Sequence, residues 1–219
     1  MCQSDFTDAA GLGVTISGDV FVHRLYHFLL VYRRWEHVGV LLDGESYTAL
    51  AENLQNALWA LGGTPKHCRT DSLSAAFRNL SKDERRDITK RYAAFTLHYG
   101  MDASRNNRGE AHENGAVKSH NRHLKVAIEQ ALILRGSRDF ETVGDYRHFM
   151  DELVARRNKH RADALETELK HLQPLPARRT ADFTEIVVQV VRTTGFLVKE
   201  IFYSAPSRLT RATPACAYL

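Results

Sequence analysis

The chain has 219 residues, 43% hydrophobic and 26% charged, enough apolar material for one large domain or a domain with an appendage. Its net charge of +4 and pI near 9.0 make it mildly basic, compatible with a polyanionic partner. Three scattered cysteines (Cys2, Cys68, Cys216), no zinc spacing, no signal peptide and no apolar run long enough for a bilayer argue against a disulfide framework, a structural zinc and a membrane protein, and suit a reducing cytoplasm.

Residues 14–16, 24–32 and 37–42 are rich in β-branched, aromatic and aliphatic side chains and read as three strands of an antiparallel meander. Ser46 then caps a helix in which Leu50, Leu54, Leu58 and Leu61 recur at helical spacing, and Gly62-Gly63-Thr64-Pro65 ends it. Residues 66–71 form a short strand finishing at Asp71. The polar stretch 79–87 leads into a helix through Ile88, Tyr92, Phe95 and Leu97, closed by His98-Tyr99-Gly100. Residues 105–115 carry turn chemistry. A long helix follows over 116–134, with Val117, Leu124, Ile128 and Ala131 or Leu132 on one side, and another over 143–159 that ends in the basic run Arg156 to Arg161. Gln173-Pro174-Leu175-Pro176 reads as a linker, and 185–192 and 196–203 as a hairpin joined by Thr193-Thr194-Gly195. The expected organisation is an α/β core over 1–172, a mixed sheet flanked by helices, then a linker over 173–177 and a small β-rich unit over 178–219.

Two aspartates stand at points of chemical interest, Asp5 at the start of the first strand and Asp71 at the end of the strand after the first helix. An aspartate at a strand end is most often a solvated turn residue. Carboxylates on adjacent strands of one sheet, however, can share Mg²⁺ or Mn²⁺, hard cations that prefer oxygen ligands. Two such ions activate the attacking oxygen and stabilise the leaving one in phosphodiester chemistry, with a third carboxylate usually supplied by a helix.

The motifs Gln3-Ser4-Asp5-Phe6-Thr7, Ala57-Leu58-Trp59-Ala60-Leu61-Gly62-Gly63-Thr64-Pro65, Arg69-Thr70-Asp71-Ser72-Leu73, His98-Tyr99-Gly100-Met101 and Glu113-Asn114-Gly115-Ala116-Val117 occur in the order found in IstA-like transposases. The chain resembles their integrase-type DDE catalytic core from Asp5 to about Leu209. That resemblance implies a ribonuclease-H-like fold, Mg²⁺ or Mn²⁺ dependence, and cleavage and joining of DNA ends. It further implies element-end and target DNA, an ATPase helper protein and a homo-oligomer on DNA as partners, in the nucleoid-associated cytoplasm of a bacterium. Asp5 and Asp71 match the first two metal-binding carboxylates. The third is expected 18 positions after the glycine of His-Tyr-Gly, and Gly100 plus 18 lands on Lys118.

Lys118 reads as a replacement for a glutamate. On the long helix, Lys118, Arg122 and Lys125 stack three positive charges, whereas a glutamate at 118 would pair favourably with Arg122 and suit the first turn. A protonated lysine is no metal ligand, so the chain is expected to be catalytically silent. The alternative is a non-catalytic remnant that binds DNA or an intact transposase and interferes with assembly. Glu113 and Glu110 are poorly placed to substitute, and Asp8 competes weakly with Asp5 because three residues along a strand reverse the face. Arg108, Arg122 and Lys125 are candidate DNA contacts, and the Arg156 to Arg161 run and the Arg178-Arg179 pair can track phosphates. His120 and His123 read as surface histidines, and Trp35 and Trp59 as core. The resemblance also implies a helix-turn-helix region before the core and a β-barrel after it. Residues 206–209 are expected to open that barrel, and 210–219, without strand alternation, to be out-of-frame translation of a truncated gene.

Overall fold

A computed structural model describes residues 1–42, 45–70, 82–104, 115–180, 184–187, 191, 195–198, 201–204 and 215–218. Asp71, Arg108, Glu110 and Glu113 lie outside the described residues. The chain divides into two compact units, Met1–Arg179 and Thr180–Leu219.

The first unit is built on a five-stranded mixed sheet. Its strands are β1 (Cys2–Asp8), β4 (Arg24–Leu30), β5 (Glu36–Leu41), β6 (His67–Thr70) and β7 (Asp102–Ser104), in the order β5-β4-β1-β6-β7. β4 runs antiparallel to both β1 and β5, while β6 joins parallel to β1 and β7 parallel to β6. Helix α1 (Tyr47–Leu61) connects β5 to β6, and α2 (Lys82–His98) precedes β7. The order with an antiparallel meander on one side is the mixed sheet expected above. It differs from the sequence reading in its first strand: residues 2–8 open the meander, and Asp5 sits in the middle of that strand. The apolar stretch at 14–16 instead supplies β2 (Thr15–Ile16), which pairs with β3 (Asp19–Val20) and β8 (Asp139–Phe140) in a separate small sheet. A 3-10 turn at Ala10–Leu12, closed by Gly13 in the left-handed region (φ 61°), takes the chain out of the main sheet there.

Local chemistry accounts for the helix boundaries. The Ser46 hydroxyl accepts from Ala49 N at 3.1 Å and Gly62 ends α1 at φ 80°. Helix α4 (Val143–Lys159) starts in a reciprocal capping box between Thr142 and Asp145. Helices α3 (Gly115–Arg135) and α5 (Ala162–Leu169) complete the unit. In α2, Tyr92 and Phe95 are buried as expected, but Leu97 is 81% exposed, since its position turns away from the sheet.

The sheet buries both faces. Strand alternation sends Cys2, Phe6, Tyr26, Phe28 and Leu30 to one side, where they pack with Leu50, Leu54 and Leu58 of α1 and Tyr92 and Phe95 of α2. Leu25 and Val38 go to the other, against Leu124, Ile128 and Leu132 of α3 and Tyr146, Met150, Leu153 and Val154 of α4. Central strand β4 is therefore buried from Leu25 to Leu30 without a break.

The second unit holds two ladders among the described residues. β9 (Thr184–Val187) pairs antiparallel with β12 (Ala215–Tyr218), and β10 (Gly195–Val198) with β11 (Ile201–Ser204). The expected hairpin of 185–192 with 196–203 is corrected: the latter stretch folds on itself, and the former pairs with the last residues. The segment read as lacking strand character thus contributes Ala215–Tyr218 to a ladder. Among the described residues these strands do not close into a barrel. No described helix is long and apolar enough to cross a membrane.

Candidate active site

Asp5 projects from β1 on the α3 side of the sheet, the same side as Gln3 two residues earlier. Both side chains reach α3. Gln3 Oε1 accepts from Val117 N at 3.2 Å, meeting an N–H of the first helical turn, where the helix itself offers no acceptor. Asn121 Nδ2 donates to Asp5 Oδ2 at 3.2 Å. The helix is thereby pinned to the strand on either side of position 118, with Lys118 one turn before Asn121 and exposed. The chain neighbour of Asp5, Ser4, is the register partner of Thr70 on parallel β6, and Asp71 follows Thr70 in sequence.

Arg122 is exposed and Lys125 half-buried on α3. Lys125 lines a shallow hollow with Asp8, Leu12 and Glu129. Asp8 is exposed and its Oδ1 accepts from Ala10 N at 2.7 Å, so it caps the 3-10 turn. His120 is corrected from a surface to a buried residue, 9% exposed and stacked edge-on to exposed His123 with ring centres 6.0 Å apart. Among the described residues, no three His, Cys, Asp or Glu side chains stand together as a metal-binding group. Asp5 is the carboxylate they offer at this place, and Asp71, the second expected one, lies outside them.

Behind Asp5 lies a buried polar chain that a residue-by-residue reading of the sequence does not show. Asn121 Oδ1 meets His27 Nδ1 at 2.6 Å, and His27 Nε2 meets Glu36 Oε2 at 3.1 Å. The His27 and Glu36 side chains have no solvent exposure. Arg157 Nε donates to Glu36 Oε1, and Arg161 Nη1 reaches the same oxygen at 3.2 Å. Burial alone would push the Glu36 carboxyl up, but hydrogen bonds from His27 and Arg157 outweigh it and bring the group down to about 2. Asn158 completes the clamp: its Oδ1 accepts from Glu36 N at 3.0 Å and its Nδ2 donates to Glu36 O at 2.7 Å. The basic run is thus divided. Arg157 and Arg161 point inward to a carboxylate, while Arg156, Lys159 and His160 are not drawn into it.

Trp35 is buried edge-on to Phe28, and Trp59 donates to Tyr99 OH at 3.2 Å. Arg179 lies over the Trp59 ring and donates to Asn56 Oδ1 at 2.7 Å. Cys2 and Cys68 are free, buried register partners across β1 and β6.

No family model matches the chain. A protein of Sinorhizobium fredii described as "Uncharacterized protein y4jA/y4nE/y4sE" is 54% identical over 206 residues, covering 94% of this chain and 41% of its own length. The chain spans about two-fifths of that curated relative. Among solved structures, a chain of the simian T-cell lymphotropic virus intasome in complex with PP2A regulatory subunit B56 gamma superposes with a TM-score of 0.55. The match has 14% identity and covers 86% of this chain and 62% of that one. The HTLV-2 integrase catalytic core domain in complex with magnesium, in its trimeric form, gives a TM-score of 0.47 at 17% identity, over 70% of this chain and 80% of that one. The chain thus shares a mixed α/β fold with that intasome chain.

Proposed function

We propose that the chain is the core of an IstA-like DDE transposase, silent in strand cleavage and joining because Lys118 stands where the third carboxylate belongs. One observation carries this reading: α3 is docked on β1 by Gln3–Val117 and Asn121–Asp5, so position 118 lies on the helix that touches Asp5. In this reading Asp5 is the first carboxylate, α3 is the helix that should bring the third, and Lys118 has the wrong charge at the decisive position. In this reading Asp71 is the second carboxylate, and Arg108, Arg122 and Lys125 contact DNA. Mg²⁺ or Mn²⁺ is the cofactor of the active ancestor, with element-end and target DNA, an ATPase helper and further copies of the chain as partners in the bacterial cytoplasm.

The test is metal-dependent nicking of DNA carrying element ends, with Mg²⁺ and Mn²⁺, by the chain as it stands and by Lys118→Glu. No nicking by the former and detectable nicking by the latter is the expected result. Robust nicking by the unaltered chain overturns the proposal. A second reading, a non-catalytic protein that keeps DNA binding, is favoured by the exposed cations Lys118 and Arg122 on α3. It predicts salt-sensitive DNA binding without cleavage, even with glutamate at 118.

A further inference from the structure

We infer that Asn121 and His27 are positioning residues for Asp5, and that the chain Glu36–His27–Asn121 sets the direction of its carboxylate from inside the core. The inference rests on reading Asp5 as a functional carboxylate. The geometry of the chain does not.

Glu36, held ionised by His27 and Arg157, is an acceptor at both oxygens. His27 Nε2 faces one of them at 3.1 Å and must donate. Nδ1 of the same ring lies 2.6 Å from Asn121 Oδ1. The Asn121 amide is oriented by Asp5: its nitrogen donates to Asp5 Oδ2 at 3.2 Å, which turns its oxygen to His27. The reversed amide would set oxygen against carboxylate. The line runs from Arg157 near the end of α4 and Arg161 just beyond it, through Glu36, His27 and Asn121, to Asp5 on β1. Asp5 and His27 are also register partners on adjacent strands, which holds the two ends of the link at a constant spacing.

A network that served only to fill the core would not need this order of polarity. The sheet face opposite is filled with apolar side chains, and a buried ionic group is no more stabilising than well-packed hydrophobic residues. What the chain supplies to Asp5 is a directed N–H donor on a helix that cannot roll.

The experiment is NMR of the unaltered full chain with ¹³C-carboxyl aspartate and ¹⁵N-side-chain asparagine labels, compared with His27→Leu and His27→Gln. In the unaltered chain the Asn121 amide protons exchange with solvent more slowly than those of exposed asparagines. His27→Leu is expected to speed that exchange and to move the Asp5 carboxyl resonance. His27→Gln keeps a donor for Asn121 Oδ1 and is expected to restore both in part; it also serves if the leucine variant fails to fold. Unchanged Asp5 and Asn121 signals in a folded His27 variant overturn the inference and leave the network a structural element only. Mn²⁺ titration of Lys118→Glu, with and without the added His27→Gln change, reports on the functional reading separately. A loss of about ten- to a hundred-fold in affinity is expected from the added change. No Mn²⁺ binding by either, with the NMR shifts present, sinks the functional reading and leaves the positioning of Asp5 standing.

Discussion

The two faces of the central sheet are built from the same strands and obey different rules. Toward α1 and α2, strand β4 offers Tyr26, Phe28 and Leu30, all packed into one apolar cluster. Toward α3 and α4 it offers Leu25 and His27, one in an apolar cluster and the other in a chain of buried polar groups ending at ionised Glu36. The first face can be explained by area removed from water alone. The second cannot, because desolvated charges add stability only when all are paired. The contrast sets a face held by packing against a face held by pairing, and the paired face adjoins Asp5.

The comparison can be broken most sharply at Glu36. Glu36→Ala leaves half-buried Arg157 without its counter-charge and buried His27 without its hydrogen-bond partner, and is expected to cost about 4 kcal/mol in denaturant unfolding. A change under about 1 kcal/mol would mean the charges are not paired as described. On the apolar face Leu54, with no exposure, is the matching probe. Leu54→Ala is expected to cost about 3 kcal/mol and to leave the Asp5 and Asn121 signals untouched, which sets pure packing apart from positioning.

Acid gives a graded version of the first test. The Glu36 carboxyl is depressed to about 2 in the fold against an ordinary value near 4.5. A depressed acid contributes stability that is complete above the unfolded value and is lost as pH falls through the folded one. Up to about 3 kcal/mol should therefore disappear between about pH 5 and pH 2, and the pH slope in that window should be shallower in Glu36→Gln. Identical slopes would contradict the pairing. The smallest effect expected is at the helix start: Ser46→Ala removes the hydroxyl that accepts from Ala49 N and should cost about 1 kcal/mol, equally at all pH values.

What can be read from the sequence is local. Ser46 and Gly62 bound α1 because capping chemistry is carried by single residues at fixed offsets, and the buried stripe Val117, Leu124, Ile128 and Leu132 follows from helical period. The strand Asp102–Ser104 leaves no mark in the sequence because three residues carry no alternation. In the second unit, short β segments of similar character do not specify their partners, so pattern alone matches 184–187 to the wrong stretch. The site divides in the same way. Asp5 and Lys118 stand in motifs, but the polar chain behind them joins residues 9, 94 and 116 positions apart. Each of His27, Glu36, Asn121 and Arg157 alone looks like an ordinary polar residue. Tertiary structure alone brings them into one line.

The central claim is that position 118 decides whether the frame around Asp5 can hold a divalent ion. A Mn²⁺ titration of the unaltered chain and of Lys118→Glu, each with and without Asp5→Asn, tests it most directly. The account predicts weak or no specific binding by the unaltered chain, and binding by Lys118→Glu that is lost with Asp5→Asn. Equal, Asp5-dependent binding with lysine and with glutamate at 118 would contradict it.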